Sequence, residues 1–289
     1  MYEKLEVCPV CKHTDFKNFL ICTDHSISGE SFALNQCKKC SVVFTNPRPT
    51  DSALPKYYDD PDYISHQNQS TNLINCVYKL VRNYTLSKKV KMLKKYSTGT
   101  SILDYGCGTG DFLATCKRRG YTTYGYEPNP IAKEQAGTKG IAVVEDIKDI
   151  KGDIDIITAW HVLEHVSDLR KTIKLLRKKL SDTGVLLIAV PNLNSYDAAY
   201  YKEHWAALDV PRHLYHFTQE SFGKLLELNK LTLVNTIPMH FDSYYVSLLS
   251  EKYKNQRNNY FRALKTGYTS NQKAKQTGEY SSLIYVIRK

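Results

Sequence analysis

Apolar positions through the middle of the chain switch repeatedly between two periods, and that alternation predicts a fold before any single motif is weighed. Ile102 and Leu103 read as the end of a buried parallel strand, and FLATCKRRG after Asp111 reads as the helix it feeds, closed by Gly120. YTTYGYE is a second strand, ending in Glu127. IDIITAW is another, followed by a helix carrying Leu169, Ile173, Leu176 and Leu180, after which Gly184 opens the strand VLLIAV. Thr218 stands at the N-cap of a later helix, with Glu220 in its first turn and Phe222, Leu225 and Leu226 on its buried side. Upstream, Ile74, Val77, Val81 and Tyr84 recur at helical spacing and predict a helix leading into this region. Strands alternating with helices in this way predict an α/β fold built on a doubly wound parallel sheet. Towards the C-terminus, FDSYYVSLLSEKY has helical spacing, KTGYTSNQKAKQTGEYSS reads as a polar solvated loop, with a lid as the alternative, and LIYVIRK reads as an edge strand.

The first strand runs directly into the chain's most informative segment, ILDYGCGTG, where Asp104 is followed by Gly106, Gly108 and Gly110. Glycines at alternate positions remove the side chains that would keep a ligand off the turn, so a cofactor can lie on backbone N–H groups. The spacing D-x-G-x-G-x-G differs from the G-x-G-x-x-G of dinucleotide sites. Asp104 also supplies a carboxylate for a cationic head group. Glu127, at the end of the next strand, is placed to accept both ribose hydroxyls of an adenosine, a role common to NAD and S-adenosylmethionine sites.

With these residues the chain resembles the class I S-adenosylmethionine-dependent methyltransferases. The likeness spans roughly residues 85 to 240 and rests on DYGCGTG, GYEPNP, VVED, DIDIITAWHVLEHVSD and GVLLIAVPN in that order and spacing. It implies a Rossmann-like, mostly parallel seven-stranded sheet whose last strand is antiparallel. It also implies that Asp104 and the Gly106–Cys107–Gly108–Gly110 turn hold the methionine part, that Glu127 holds the ribose with Pro128 among the cofactor-binding residues, that Asp146 and the Ile147 backbone meet the adenine edge, and that His161 sits near the sulfonium.

Composition adds limits. The 289 residues suffice for one sizeable α/β domain and a small accessory module. MYEKLEVCP has no apolar core of signal length, and no run approaches the ~20 residues of a membrane span, so the expectation is a soluble cytoplasmic protein. In that compartment the eight cysteines stay reduced and pairs suggest metal. Cys8-Pro-Val-Cys11 and Cys37-Lys-Lys-Cys40 form two C-x-x-C knuckles that can close a tetrahedral, structural zinc site, with Cys22, His13 and His25 as spectators. The expected organisation is a zinc-ribbon-like module over residues 1–50, a linker and helical segment over 51–98, and the methyltransferase domain over 99–289 with an inserted segment at 242–280. Tyr57, Tyr58 and Tyr63 in the linker are candidates to face substrate, although packing is the commoner fate of such tyrosines.

The net charge of +11 fits nucleotide-linked sugars, phospholipid surfaces or nucleic acid alike. Lys171, Lys174, Arg177, Lys178 and Lys179 read as the solvated face of a sheet-covering helix. His161-Val-Leu-Glu164-His165 matches an inverted zinc-protease signature, but it follows a strand where a ligand crevice is expected, which makes His161, Glu164 and His165 active-site candidates instead. In HWAALDVPRHLYHF, Trp205, Arg212, His213, Tyr215 and His216 combine an aromatic platform, an anion fork and two titratable bases, with two of the five expected to touch substrate. Methyl transfer from a sulfonium is an in-line displacement that needs alignment, plus a base for an oxygen or carbon nucleophile; His161, His165 and His213 are the candidates. The absence of N-P-P-Y, D-P-P-Y and Pro-Cys segments disfavours nucleic-acid base methylation. Together with the double knuckle, the domain resembles bacterial methyltransferases of nucleotide-linked sugars and other envelope-glycan precursors, which implies a small polar acceptor. The alternative is RNA or protein methylation, docked through the zinc module and the basic surface.

Overall fold

The N-terminal residues form two small sheets. β1 (Tyr2–Glu3) pairs with β5 (Arg48–Pro49), while β2 (Phe16–Thr23), β3 (Ser31–Cys37) and β4 (Val43–Thr45) form an antiparallel meander. The β2–β3 hairpin spans the gap between the two cysteine knuckles, its register running from Phe16 opposite Cys37 to Thr23 opposite Ser31. Asp24 shapes its tip by accepting from Ser26 N, Ile27 N and Ser28 N, the local bonding for which Asp is favoured in turns. The computed structural model describes residues 1–58, 73–257 and 259–289, and between 73 and 83 the backbone alone. Tyr63 therefore lies outside the described residues, as do the side chains of Ile74, Val77 and Val81.

The α/β part begins with α1 (Leu73–Tyr96), the helix expected from about Thr71. It continues through β6 (Ser101–Tyr105), α2 (Asp111–Lys117), β7 (Thr122–Tyr126), α3 (Pro130–Thr138), β8 (Ala142–Val144), β9 (Ile154–Trp160), α4 (Leu169–Lys179) and β10 (Leu180–Pro191). After α5 (Tyr196–Tyr201) and the short β11 (Tyr215–His216) come α6 (Gln219–Leu228), β12 (Thr232–Pro238), α7 (Asp242–Asn255), α8 (Tyr260–Thr277) and β13 (Ser282–Arg288). The seven-stranded sheet has the order β12-β13-β10-β9-β6-β7-β8, with parallel pairing of β6 to β7 and β9 and of β7 to β8. This is the Rossmann-like architecture expected. The caps read from sequence are present: Thr218 and Ser221 form a capping box at α6.

The chain divides into two compact units, Met1–Asp60 with His161–Ile173 and Ala189–Tyr285, and Pro61–Trp160 with Lys174–Ile188 and Val286–Lys289. In the first, β11 extends the N-terminal meander, with Tyr215 opposite Phe44 and His216 opposite Val43. One core joins Cys22, Phe32, Leu34 and Tyr57 to Tyr201, Trp205 and Leu208, so residues far apart in sequence share a single apolar cluster. Cys22 is thus a packing residue, as its spacing suggested.

Two expectations near the C-terminus change. β13 is no edge strand: it sits between β12 and β10, and its near-continuous burial explains the unbroken apolar run LIYVI. The polar stretch after Lys265 is no loop but the body of α8. Its buried positions, Ala263, Thr266, Gly267, Ser270, Asn271 and Ala274, keep strict helical spacing but are small rather than apolar. They suit close approach to α7: a Cβ on Gly267 would lie 2.9 Å from Tyr244 Cα. Among the described residues no helix is long and apolar enough to cross a membrane.

Candidate functional site

Parallel pairing of Asp104 with Gly125 and Tyr105 with Tyr126 brings the ends of β6 and β7 together, and two turns meet there. Gly106 N and Cys107 N both donate to Tyr126 O, at 2.8 and 3.0 Å, folding the glycine segment against the end of β7. Gly106, Gly108 and Gly110 have φ of 79, 53 and 78°, the left-handed region that penalises any Cβ. The last two glycines differ in surroundings. A Cβ on Gly110 would lie 2.9 Å from Ala136 Cβ, whereas one on Gly108 would meet nothing within 4 Å. Glu127 ties the turns together: Oε2 accepts from Gly108 N at 2.8 Å and Oε1 from Asn129 N at 2.9 Å. Pro128 beside it is exposed.

Asp104 is buried, with Oδ1 accepting from the Thr158 hydroxyl at 2.6 Å. Burial pushes its carboxyl up to about 7, against the pull of Thr158 and the Lys89 cation. Cys107 is buried too, and its sulfur fits only because residue 125 is glycine: a Cβ there would lie 2.6 Å from Sγ. Asp146 caps the short turn Ile147–Asp149 through Lys148 N, with Ile147 buried below it. Sequence reasoning missed Trp160 at the end of β9, which packs edge-on against Phe112 under the Lys89 ammonium and whose buried indole N–H has no partner among the described residues.

The second cluster begins one residue later. His161 has a φ of 56°, uncommon for a non-glycine, and points its two nitrogens at carboxylates: Nδ1 at Glu164 Oε1 (3.2 Å) and Nε2 at Asp242 Oδ2 (3.1 Å). Burial opposes the imidazolium, but Asp242 and Glu164 outweigh it and hold His161 up at about 10, so it is a cation at neutral pH rather than a ready base. Asp242 carried no sequence signal, because it lies on the inserted helix 81 residues away. Glu164 is fully buried; burial works against its charge, and His161 keeps it ionised. His165 is pushed down to about 4 by burial and the neighbouring His213, whose ring lies edge-on at 4.5 Å. His165 Nδ1 meets Arg212 O and Tyr58 Oη, both at 3.1 Å. His213 Nδ1 meets Ala207 O at 2.9 Å. Because a carbonyl only accepts, both rings are assigned a proton on Nδ1.

The remaining members of the 205–217 segment have interior roles. Arg212 does not present an open anion fork: its guanidinium bonds Asp24 Oδ1 at 2.9 Å, Asp209 Oδ1 at 2.7 Å and Tyr57 O at 3.0 Å. Trp205 is buried with its indole N–H on Asp197 at 2.8 Å. The buried Tyr215 donates to Ser167 O and accepts from Arg48, while the buried His216 faces Thr45 and is pushed down to about 3 by burial. Of the five candidates, His213 turns its second ring nitrogen, Nε2, towards another titratable group, Asp209, whose Oδ2 lies 3.8 Å away.

Cys8, Cys11, Cys37 and Cys40 converge, as their spacing required. Sγ–Sγ distances are 3.5 Å for Cys8–Cys40 and for Cys11–Cys37, and all four sulfurs lie within 4.8 Å of one another. Four thiolates about 2.3 Å from one tetrahedral ion stand about 3.8 Å apart. Lys12 and Ser41, each just past a knuckle, both have a φ of 61°.

Residues 78–236 match the family described as methyltransferase domain. The ubiquinone biosynthesis O-methyltransferase of Escherichia coli O127:H6 is 29% identical over 107 residues, which cover 33% of this chain and 45% of that protein. The enzyme of the same description from Azorhizobium caulinodans is 27% identical over 104 residues, covering 32% and 41%. The chain thus spans under half the length of these curated relatives. Among solved structures, magnesium protoporphyrin IX methyltransferase from Synechocystis PCC 6803, with bound SAH, superposes with a TM-score of 0.54 at 14% identity, covering 83% of this chain and 100% of that one. The fold, the order of the strands and the match over more than half of the residues agree: the chain belongs to the methyltransferase-domain family.

Proposed function

We propose that this methyltransferase-family enzyme moves the methyl group of S-adenosylmethionine onto a small polar acceptor, of the class of nucleotide-linked sugars and other envelope-glycan precursors. The observation that carries the cofactor is the open space over Gly108, whose own N–H is held by the Glu127 carboxylate at the end of β7. Glu127 at the end of β7 suits a ribose diol, Asp104 a cationic head group, and Gly106, Cys107, Gly108 and Gly110 a ligand lying on the main chain; Pro128, Asp146 and Ile147 would border the adenosine. S-adenosylmethionine supplies a methyl group already activated by the sulfonium charge, and the chain's part is to align the acceptor and take or direct its proton. Glu164, His165 and His213 are the groups available for that, while His161, charged between Glu164 and Asp242, acts as a positioning residue. Zinc in the four-cysteine site would be structural: all four positions are thiolates, which leaves none for water.

The test is incubation of the protein with methyl-labelled S-adenosylmethionine and fractionated small metabolites of its host. Label in a nucleotide-sugar or glycan-precursor fraction supports the reading. Label confined to RNA or protein sinks the small-acceptor part, and label nowhere, despite bound cofactor, sinks the transfer itself.

A further inference from the structure

We propose that Glu164, His165 and His213 form a binding site for one divalent transition-metal cation, distinct from the four-cysteine site. A ligand atom from each lies within 4.8 Å of the other two. Glu164 is 1% exposed, and its Oε2 has no hydrogen-bond partner among the described residues, while Oε1 is taken by His161. A buried carboxylate with one oxygen unmatched is rare in folded proteins and points to something that belongs against it. Both imidazoles are prepared for the same occupant. His165 and His213 each turn Nδ1 to a main-chain carbonyl, of Arg212 and Ala207, which leaves Nε2 as the ligand atom, the arrangement that orients metal-binding histidines. Two imidazoles and one carboxylate suit Mn2+, Fe2+, Co2+ or Zn2+ better than Mg2+ or Ca2+, which prefer oxygen alone.

The rest of the pocket supports this. His161 is excluded as a ligand because both of its nitrogens are engaged, yet its charge neutralises the half of Glu164 that faces away from the cation. Asp209 Oδ2 stands 3.8 Å from His213 Nε2, close enough to offer a further oxygen. Bonds of about 2.1 Å would set adjacent donors about 3 Å apart, so modest side-chain rotation completes the site. Three protein ligands leave positions open. The purpose of the site rests on the methyl-transfer reading: with Glu164, His165 and His213 serving as ligands rather than bases, the cation would hold the acceptor oxygen and stabilise its alkoxide, the proton leaving to solvent before the oxygen–methyl bond forms and the methyl–sulfur bond breaks, its electron pair staying on the sulfur of the departing S-adenosylhomocysteine.

The probe is Mn2+ alone, titrated into the full-length zinc-replete protein and followed by loss of the free-ion electron paramagnetic resonance signal. The expected result is one Mn2+ per chain, with affinity lowered at least about tenfold in Glu164→Gln and in His213→Ala while the zinc content stays unchanged. His165→Ala serves as a second ligand variant should Glu164→Gln fail to fold. No binding by the wild-type protein at millimolar Mn2+, as expected if Oε2 is satisfied by water alone, overturns the proposal; so does binding that survives in the folded variants. Either failure leaves methyl transfer intact, whereas Mn2+ binding without any methyl transfer would sink the functional reading and keep the site.

Discussion

Gly108 and Gly110 are two residues apart in one turn, yet alanine at each should fail in a different way. At Gly110 (φ 78°) the new Cβ carries the left-handed penalty of about 1–2 kcal/mol and also lies 2.9 Å from Ala136 Cβ and 3.1 Å from Ala136 Cα. Backbone cannot yield as a flexible side chain does, and overpacking of this kind adds about 1–3 kcal/mol, for a total of roughly 2–5 kcal/mol. At Gly108 (φ 53°) the Cβ meets nothing within 4 Å, so only the conformational penalty applies. The stiffer unfolded chain offsets about 0.4–1 kcal/mol of that, as it does at Gly110, leaving a loss of at most about 1.6 kcal/mol. The methyl group then fills the space assigned to the cofactor, and affinity for S-adenosylhomocysteine should fall at least about tenfold, or about 1.4 kcal/mol. Urea unfolding and calorimetric titration of both variants separate the effects: Gly110→Ala loses stability first, Gly108→Ala loses binding at nearly full stability. A Gly108→Ala protein that binds S-adenosylhomocysteine as tightly as wild type would refute the placement of the ligand over that residue.

Three further outcomes follow from the same geometry. Cys37→Ser should lose its zinc, because three thiolates remain of a four-thiolate set, and metal analysis showing undiminished zinc would reject that site. Because burial raises the Asp104 carboxyl to about 7, it holds a proton in the free folded protein that it lacks when unfolded, and this contribution to stability fades as pH rises from about 4 to about 7. A cationic ligand favours the ionised form, so binding S-adenosylmethionine at pH 6 should release a proton and weaken by up to about tenfold per pH unit below 7; calorimetry in buffers of different ionisation enthalpy that finds no proton release would contradict this. Arg212→Ala leaves Asp24, with its side chain wholly buried, and the partly buried Asp209 without their shared cation, and should cost about 3–5 kcal/mol in denaturant unfolding, with no loss expected had Arg212 been a free anion receptor.

The sequence was most readable where one physical demand selects one residue type. Alternate glycines and an acid at a strand end declared the glycine turn, and paired cysteines declared the four-cysteine cluster. Long-range partners left no such trace. Asp242, which holds His161, and Asp24, which occupies Arg212, are single acids in unremarkable contexts, so Arg212 read as a free fork and His161 as a base. Helix α8 escaped because its buried stripe is Ala263, Thr266, Gly267, Ser270, Asn271 and Ala274. A hydrophobicity pattern is blind to a face made of small residues, although the spacing itself was helical. β13 was misplaced for a related reason: unbroken apolarity, the mark of a strand covered on both faces, was read without asking what could flank it.

Equilibrium dialysis with radiolabelled S-adenosylmethionine tests the central claim most directly. The account predicts one site per chain, emptied by S-adenosylhomocysteine, indifferent to NAD, and weakened at least about tenfold by Glu127→Ala, which removes the carboxylate assigned to the ribose. No retained label, or label displaced equally well by NAD, would contradict it.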